Sequence, residues 1–153
     1  ENNRGIWILT PDLGWVDVPW KRFIKATFSP GKSSGTARKE FNNREPLKGE
    51  IRLKDGSTRN GRLVYDLDEG FEWDIFNGSH QQISYDIPFT LINQIEVLPQ
   101  SKCKVHLQSG KILELSGNQD TGDDNNGLLV FSNGKNRPEF VSWRLVQAIE
   151  FHR

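Results

Sequence analysis

The chain has 153 residues, with 20 basic and 20 acidic side chains and a formal net charge of zero. That length suits one ordinary domain or two very small ones, and the lack of a basic excess argues against a dedicated nucleic-acid binder. With 35% hydrophobic residues, 14 glycines and 7 prolines, the composition is that of a turn-rich globular protein rather than a disordered or fibrous one.

From the N-terminus, residues 1–28 open with Ile6-Trp7-Ile8-Leu9, far too short an apolar run for a membrane-spanning helix. The segment ends on Val18-Pro19-Trp20-Lys21-Arg22-Phe23-Ile24-Lys25-Ala26-Thr27-Phe28. The same pattern returns, without a gap, from Ile87 to Val97 and from Val141 to Phe151. Upstream, Glu50-Ile51-Arg52-Leu53-Lys54-Asp55-Gly56 parallels Lys104-Val105-His106-Leu107-Gln108-Ser109-Gly110. Self-similarity at about 50 residues signals modular architecture. The expected organisation is the back half of a first repeat at 1–28, a linker or long loop at 29–47 anchored by Phe41, a second repeat at 48–99 and a third at 100–153. A half repeat cannot close its own core. It is expected to pack on a neighbour, pair in a homodimer, or belong to a longer parent chain, of which this would be a C-terminal fragment. The missing methionine and the start at Glu1 fit a processed product and leave export open.

Within each full repeat, alternation dominates. Ile51 and Leu53, then Leu63, Tyr65 and Leu67, share a face while charged residues take the other, the signature of half-buried strands. Asp55-Gly56 and Ser109-Gly110 read as hairpin turns, and Asn77-Gly78 and Asn133-Gly134 as further turn signals. Phe71, Trp73 and Ile75 alternate with Glu72 and Asp74 as in a strand with one wet face. The spacing of Phe89, Ile92 and Ile95 predicts one 3₁₀ turn before a final strand. About five short strands in about 50 residues is the scale of a small SH3-like barrel.

Ile51-Arg52-Leu53-Lys54-Asp55-Gly56, followed by Gly61-Arg62-Leu63-Val64-Tyr65-Asp66, resembles the first half of the Sm-like motif. Ile87 to Val97 resembles its closing segment, and in the last repeat Leu115 stands at the place of Gly61. The chain is also similar to uncharacterised bacterial tandem-repeat proteins built from small SH3-like or Sm-like barrels. The resemblance implies an all-β protein of tandem SH3-like barrels with an incomplete N-terminal repeat. RNA binding is the activity it would imply, yet Asp66 is followed by Leu67-Asp68-Glu69-Gly70, and acidic groups where phosphate would sit oppose binding.

For chemistry the sequence offers little. Cys103 is alone, so no internal disulfide forms, and His80, His106 and His152 lack zinc-ligand spacing to it. The loop from Asn118 to Gly127 carries Asp120, Asp123 and Asp124. Hard oxygens in such a loop suit Ca²⁺, although Asn and Asp are also what turn geometry favours. Trp20, Phe89 and Trp143 share one repeat position, which core packing explains. Trp7 and Trp15 have Leu129 and Pro138 in their places, which makes them the candidate exposed aromatics of a binding surface. The expected function is a non-enzymatic binding or scaffold module with a protein partner. The alternatives are an Sm-like RNA binder and a calcium-dependent or hydrolytic domain using the acidic loops.

Overall fold

The structure is a computed structural model and describes residues 5–30, 45–117, 119–135 and 137–153. Most of the expected 29–47 linker, Phe41 included, lies outside them. The described chain is all-β. Its strands are β1 (Gly5–Thr10), β2 (Gly14–Pro19), β3 (Lys48–Leu53), β4 (Thr58–Tyr65), β5 (Ile75–His80), β6 (Ile83–Pro88), β7 (Ile92–Leu98), β8 (Lys102–Leu107), β9 (Ile112–Ser116), β10 (Leu128–Phe131), β11 (Glu139–Val141) and β12 (Val146–His152). Three-residue 3₁₀ turns occupy Trp20–Arg22, Phe89–Leu91, Gln119–Thr121 and Trp143–Leu145. Among the described residues no helix is long and apolar enough to cross a membrane.

All the strands join one antiparallel sheet in the order β1-β2-β6-β5-β9-β8-β7-β12-β3-β4-β10-β11. The sheet is not closed. β1 and β11 form its ends, each with one strand neighbour. The order also shows that the segments 48–99 and 100–153 do not each fold on themselves. β3 pairs with β12 and β4 with β10, while β8 pairs with β7 and β9 with β5. Each two-strand hairpin is thus inserted between strands of the other repeat or at its boundary.

The interleaving is symmetric. β7 and β12 pair with Ile95 opposite Ile149, and these two residues occupy the same place in their repeats. A second junction of the same kind joins β2 to β6, with Val16 opposite Tyr85, again equivalent positions. Strands that carry one repeat pattern meet their counterparts head to tail, so the inward residues of both repeats face one interior.

That interior is a single cluster drawn from both repeats, including Ile51, Leu63, Tyr65, Phe76, Phe89, Ile95, Val105, Leu128, Trp143 and Ile149. Tyr65 stands at its centre, with ring centroids 5.9 Å from Phe76, 5.3 Å from Phe89 and 5.6 Å from Trp143. Edge-to-face aromatic pairs at such spacings add roughly 0.5–1.5 kcal/mol beyond the area they bury.

Three expected elements differ. Leu67 does not share the face of Leu63 and Tyr65: β4 ends at Tyr65, and Leu67 sits exposed in the turn that follows, at φ 71°. Asn77-Gly78 is no turn; both residues lie inside β5. The hairpin turn there is Gln81-Gln82, whose φ values of 49° and 69° are those of a left-handed two-residue turn. Gly78 is needed for space instead, since a Cβ on it would lie 2.8 Å from that of Leu115. Likewise the chain turns over Glu72 to Asp74 instead of continuing a strand from Phe71, which forms only an isolated bridge to Pro46, and Asp74 Oδ2 accepts the backbone N–H groups of Gly70 at 2.7 Å and Phe71 at 2.9 Å. A side chain that binds its own local backbone competes with a ladder.

Candidate functional site

Two features stand out, an apolar sheet end and an acidic pocket. The sheet end is built by residues 5–28. β1 and β2 pair from Gly5↔Pro19 to Thr10↔Gly14, and the unit is held to the body by the β2–β6 ladder, by packing of Val16 and Leu13, and by an ion pair between Asp12 and Lys111. Beyond that anchorage its apolar side chains meet solvent. Trp20 is 51% exposed, whereas its repeat counterparts Phe89 and Trp143 are 1% and 3% exposed. Trp20 instead stacks on Phe23, at 4.9 Å and 13°. Residues 23–28, the counterpart of β7 and β12, form no strand, and Phe28 is 92% exposed. On the opposite face Trp7 and Trp15, 60% and 41% exposed, meet edge to face at 6.3 Å.

The acidic pocket lies where the two full repeats meet. It is a cavity of about 260 Å³ lined by Asp66, Asp68, Glu69, Asn77, Gln119 and Asp120. Asp66 follows β4 at φ 46°, a left-handed conformation that Asp tolerates better than most residues. Its carboxylate accepts Gln119 Nε2 at 2.6 Å and the backbone N–H of Asn126. The 3₁₀ turn at Gln119–Thr121 delivers Asp120, whose Oδ2 accepts the Asn77 N–H at 2.5 Å and whose carbonyl accepts the Tyr65 hydroxyl at 2.5 Å. One carboxylate oxygen each from Asp66, Glu69 and Asp120 lie within 4.8 Å of one another. Glu69 Oε2 is shielded from solvent and has no hydrogen-bond partner.

Burial, with the neighbouring carboxylates, pushes Glu69 up to about 9. Burial likewise raises Asp120 to about 6, against the opposing hydrogen bond from Asn77. Carboxylates this close share protons or share a cation. Three oxygen ligands with Asn77 and Gln119 nearby are a hard donor set of the kind that takes Ca²⁺ or Mg²⁺.

No protein-family model, curated protein or solved structure matches this chain.

The structure therefore speaks through its own geometry. Of the loop aspartates read from sequence, it brings only Asp120 to other carboxylates. Asp123 and Asp124 are exposed outside that group, and Asp123 Oδ2 accepts a long 3.4 Å bond from the Ser101 hydroxyl. Asp66 and Glu69 were the partners hidden from a linear reading, since they lie some fifty residues upstream and reach Asp120 only through the exchange of hairpins. Cys103 is fully buried, and burial pushes its thiol up to about 12, so it is a packing residue and not a nucleophile. His106 Nε2 contacts Glu96 Oε1 at 2.7 Å across β7 and β8, a cross-strand pair on the wet face.

Proposed function

We propose that this chain is a non-catalytic protein-binding module that accepts added β-structure at the sheet end formed by residues 5–28. One observation carries the reading: Trp20 is half exposed at a repeat position that is buried in both other copies. Burying such a ring is worth roughly 2–3 kcal/mol, and the side chains around it leave that energy unused in the free chain. A sheet end with apolar flanks is where strand addition occurs, and contiguous exposed apolar surface marks interaction sites. The test is selection of displayed β-hairpin peptides against the full chain, followed by binding to an Ile8→Asp variant. Ile8 is exposed on β1, so the change leaves the core intact. Enriched peptides are expected to lose the variant; peptides that bind it equally well would overturn the reading.

A second reading rests on Glu69 Oε2, a shielded oxygen without a partner beside two further carboxylates. Divalent-cation binding there would satisfy it. Calcium or manganese is expected to raise the melting temperature of the wild type at pH 8 and to leave Glu69→Gln unmoved. Equal shifts in both, or none in either, would remove this reading. RNA binding has the opposite electrostatics: the carboxylates gather at Asp66, where the Sm-like resemblance would seat a nucleotide.

A further inference from the structure

The body of the protein shows twice what completes a unit of the 5–28 kind. In β5–β6–β7 the missing strands are supplied by the hairpin β8–β9, which pairs with β7 on one side and β5 on the other. In β10–β11–β12 they are supplied by β3–β4, which pairs with β12 and β10. Residues 5–28 carry the same three-part pattern, with β1 at the place of β5 and β10 and residues 23–28 at the place of β7 and β12. Four positions measure the consequence. Ile6, Ile8, Trp20 and Ala26 are half-buried or exposed, while their counterparts Phe76, Gly78, Phe89 and Ile95, and Leu128, Val130, Trp143 and Ile149, are all buried. Nothing among the described residues occupies the hairpin's place.

Resting on the strand-addition reading, we infer that the occupant is a β-hairpin of the β3–β4 type, presented by another protein chain, and that its register is set in advance. β5 meets β9 at Ser79↔Ser116, and β10 meets β4 at Phe131↔Arg62; the equivalent residue of β1 is Leu9. β7 meets β8 at Ile95↔Val105, and β12 meets β3 at Ile149↔Ile51; the equivalent residue of the third unit is Ala26. The incoming hairpin therefore sets its Arg62-like residue against Leu9 and its Ile51-like residue against Ala26.

The same comparison fixes one residue type. Each built junction places a large residue diagonally across from a glycine. Leu115 of the hairpin packs over Gly78, where a Cβ would lie 2.8 Å from that of Leu115. In the other junction the hairpin carries Gly61 and the receiving strand carries Val130. A Cβ on Gly61 would lie 2.4 Å from the Phe131 carbonyl oxygen, so the two backbones close up around it. The receiving position in β1 is Ile8, which is large. The hairpin it accepts is therefore the one with glycine at the Gly61 place, and not the Leu115 kind.

The experiment uses the full chain and a fluorescent synthetic peptide of residues 47–65, read by anisotropy, with light scattering on the chain alone. Saturable binding is expected, weakened about tenfold or more by Gly61→Leu in the peptide and to a similar extent by Ile8→Asp in the chain. Sensitivity to Ile8→Asp separates the β1 site from exchange into the chain's own β10–β12 junction. Binding lost in Ile8→Asp but indifferent to Gly61→Leu would overturn the register and keep strand addition. No binding of this peptide, while selected hairpins still bind through Ile8, would overturn the β3–β4 identity alone. A dimer of the chain that dissociates in Ile8→Asp and excludes the peptide would make the occupant a second copy and overturn the inference.

Discussion

Residues 5–28 and the body from residue 45 onward use one repeat pattern to opposite ends. In the body, the aromatic that follows the fourth strand of each repeat is sealed in the core. In the N-terminal unit the same aromatic is half exposed and stacks on Phe23. The local element is unchanged, a strand, a residue in extended conformation, and a 3₁₀ turn of three residues. What differs is the hairpin contributed from elsewhere. Local sequence thus dictates the turn, and long-range pairing decides whether its aromatic is a core residue or a surface one.

The largest test of this contrast is truncation at the shared position. Phe89→Ala and Trp143→Ala are each expected to cost about 3–5 kcal/mol by urea unfolding, as deletions of buried rings do, whereas Trp20→Ala should cost below about 1 kcal/mol. A Trp20→Ala loss as large as the other two would erase the distinction between the regions.

The next effect concerns the packing that seals the body. Gly78→Val drives a side chain into Leu115 and is expected to destabilise by about 1–3 kcal/mol. Adding Leu115→Gly should recover part of that loss, because it recreates the Val130–Gly61 arrangement on the other side. A double-mutant cycle with no coupling would show that the two junctions are not built alike.

A smaller effect separates the regions electrostatically, because the acidic pocket belongs to the body alone. Glu69 and Asp120 bind protons more tightly when folded than their ordinary values of 4.5 and 3.8 allow. Their contribution to stability is therefore whole below those values and is lost as pH rises, through about 6 for Asp120 and about 9 for Glu69. Glu69→Gln removes the upper part of that decline. Its melting temperature at pH 8–9 is expected to exceed that of the wild type by a few degrees, about 2–5 °C, and to match it near pH 4. A variant that melts below the wild type at pH 9 would contradict the sign.

The smallest expected change lies on the body's wet face. Lys102 and Glu114 pair at 2.8 Å with both side chains well exposed, so Lys102→Ala should shift stability by less than about 1 kcal/mol. It serves as the baseline against which the buried substitutions are read.

Much of the element order was legible because it rests on local physics. The period-two alternation around Ile51 and Leu63, the Asp55-Gly56 and Ser109-Gly110 turns, and the Phe89–Leu91 turn all stand where the residues place them. Asn77-Gly78 misled because a glycine admitted for a turn and a glycine admitted for a neighbour's side chain look alike in one dimension. The same limit hid the pocket. Asp120 stood out within its loop, but Asp66 and Glu69 join it only because the strands of two repeats exchange places. Self-similarity shows that two stretches share a pattern and is silent on which strand of one lies beside which strand of the other. The exposed tryptophans were legible for an incidental reason: the other repeats show no aromatic at the places of Trp7 and Trp15.

The crossed pairing of β3 with β12 and of β4 with β10 bears on how the chain is made. During synthesis the β3–β4 hairpin emerges with both of its edges bare, and β10 and β12, the strands that flank it, follow much later. β12 spans Val146–His152, so the β3–β4 hairpin is not flanked on both sides until those residues have been made. Proteins dominated by such distant contacts fold slowly and stay exposed to aggregation while they wait. The edges of that hairpin thus stay open until β10 and β12 have been made, and a chaperone that shields hairpins would act on them in that interval.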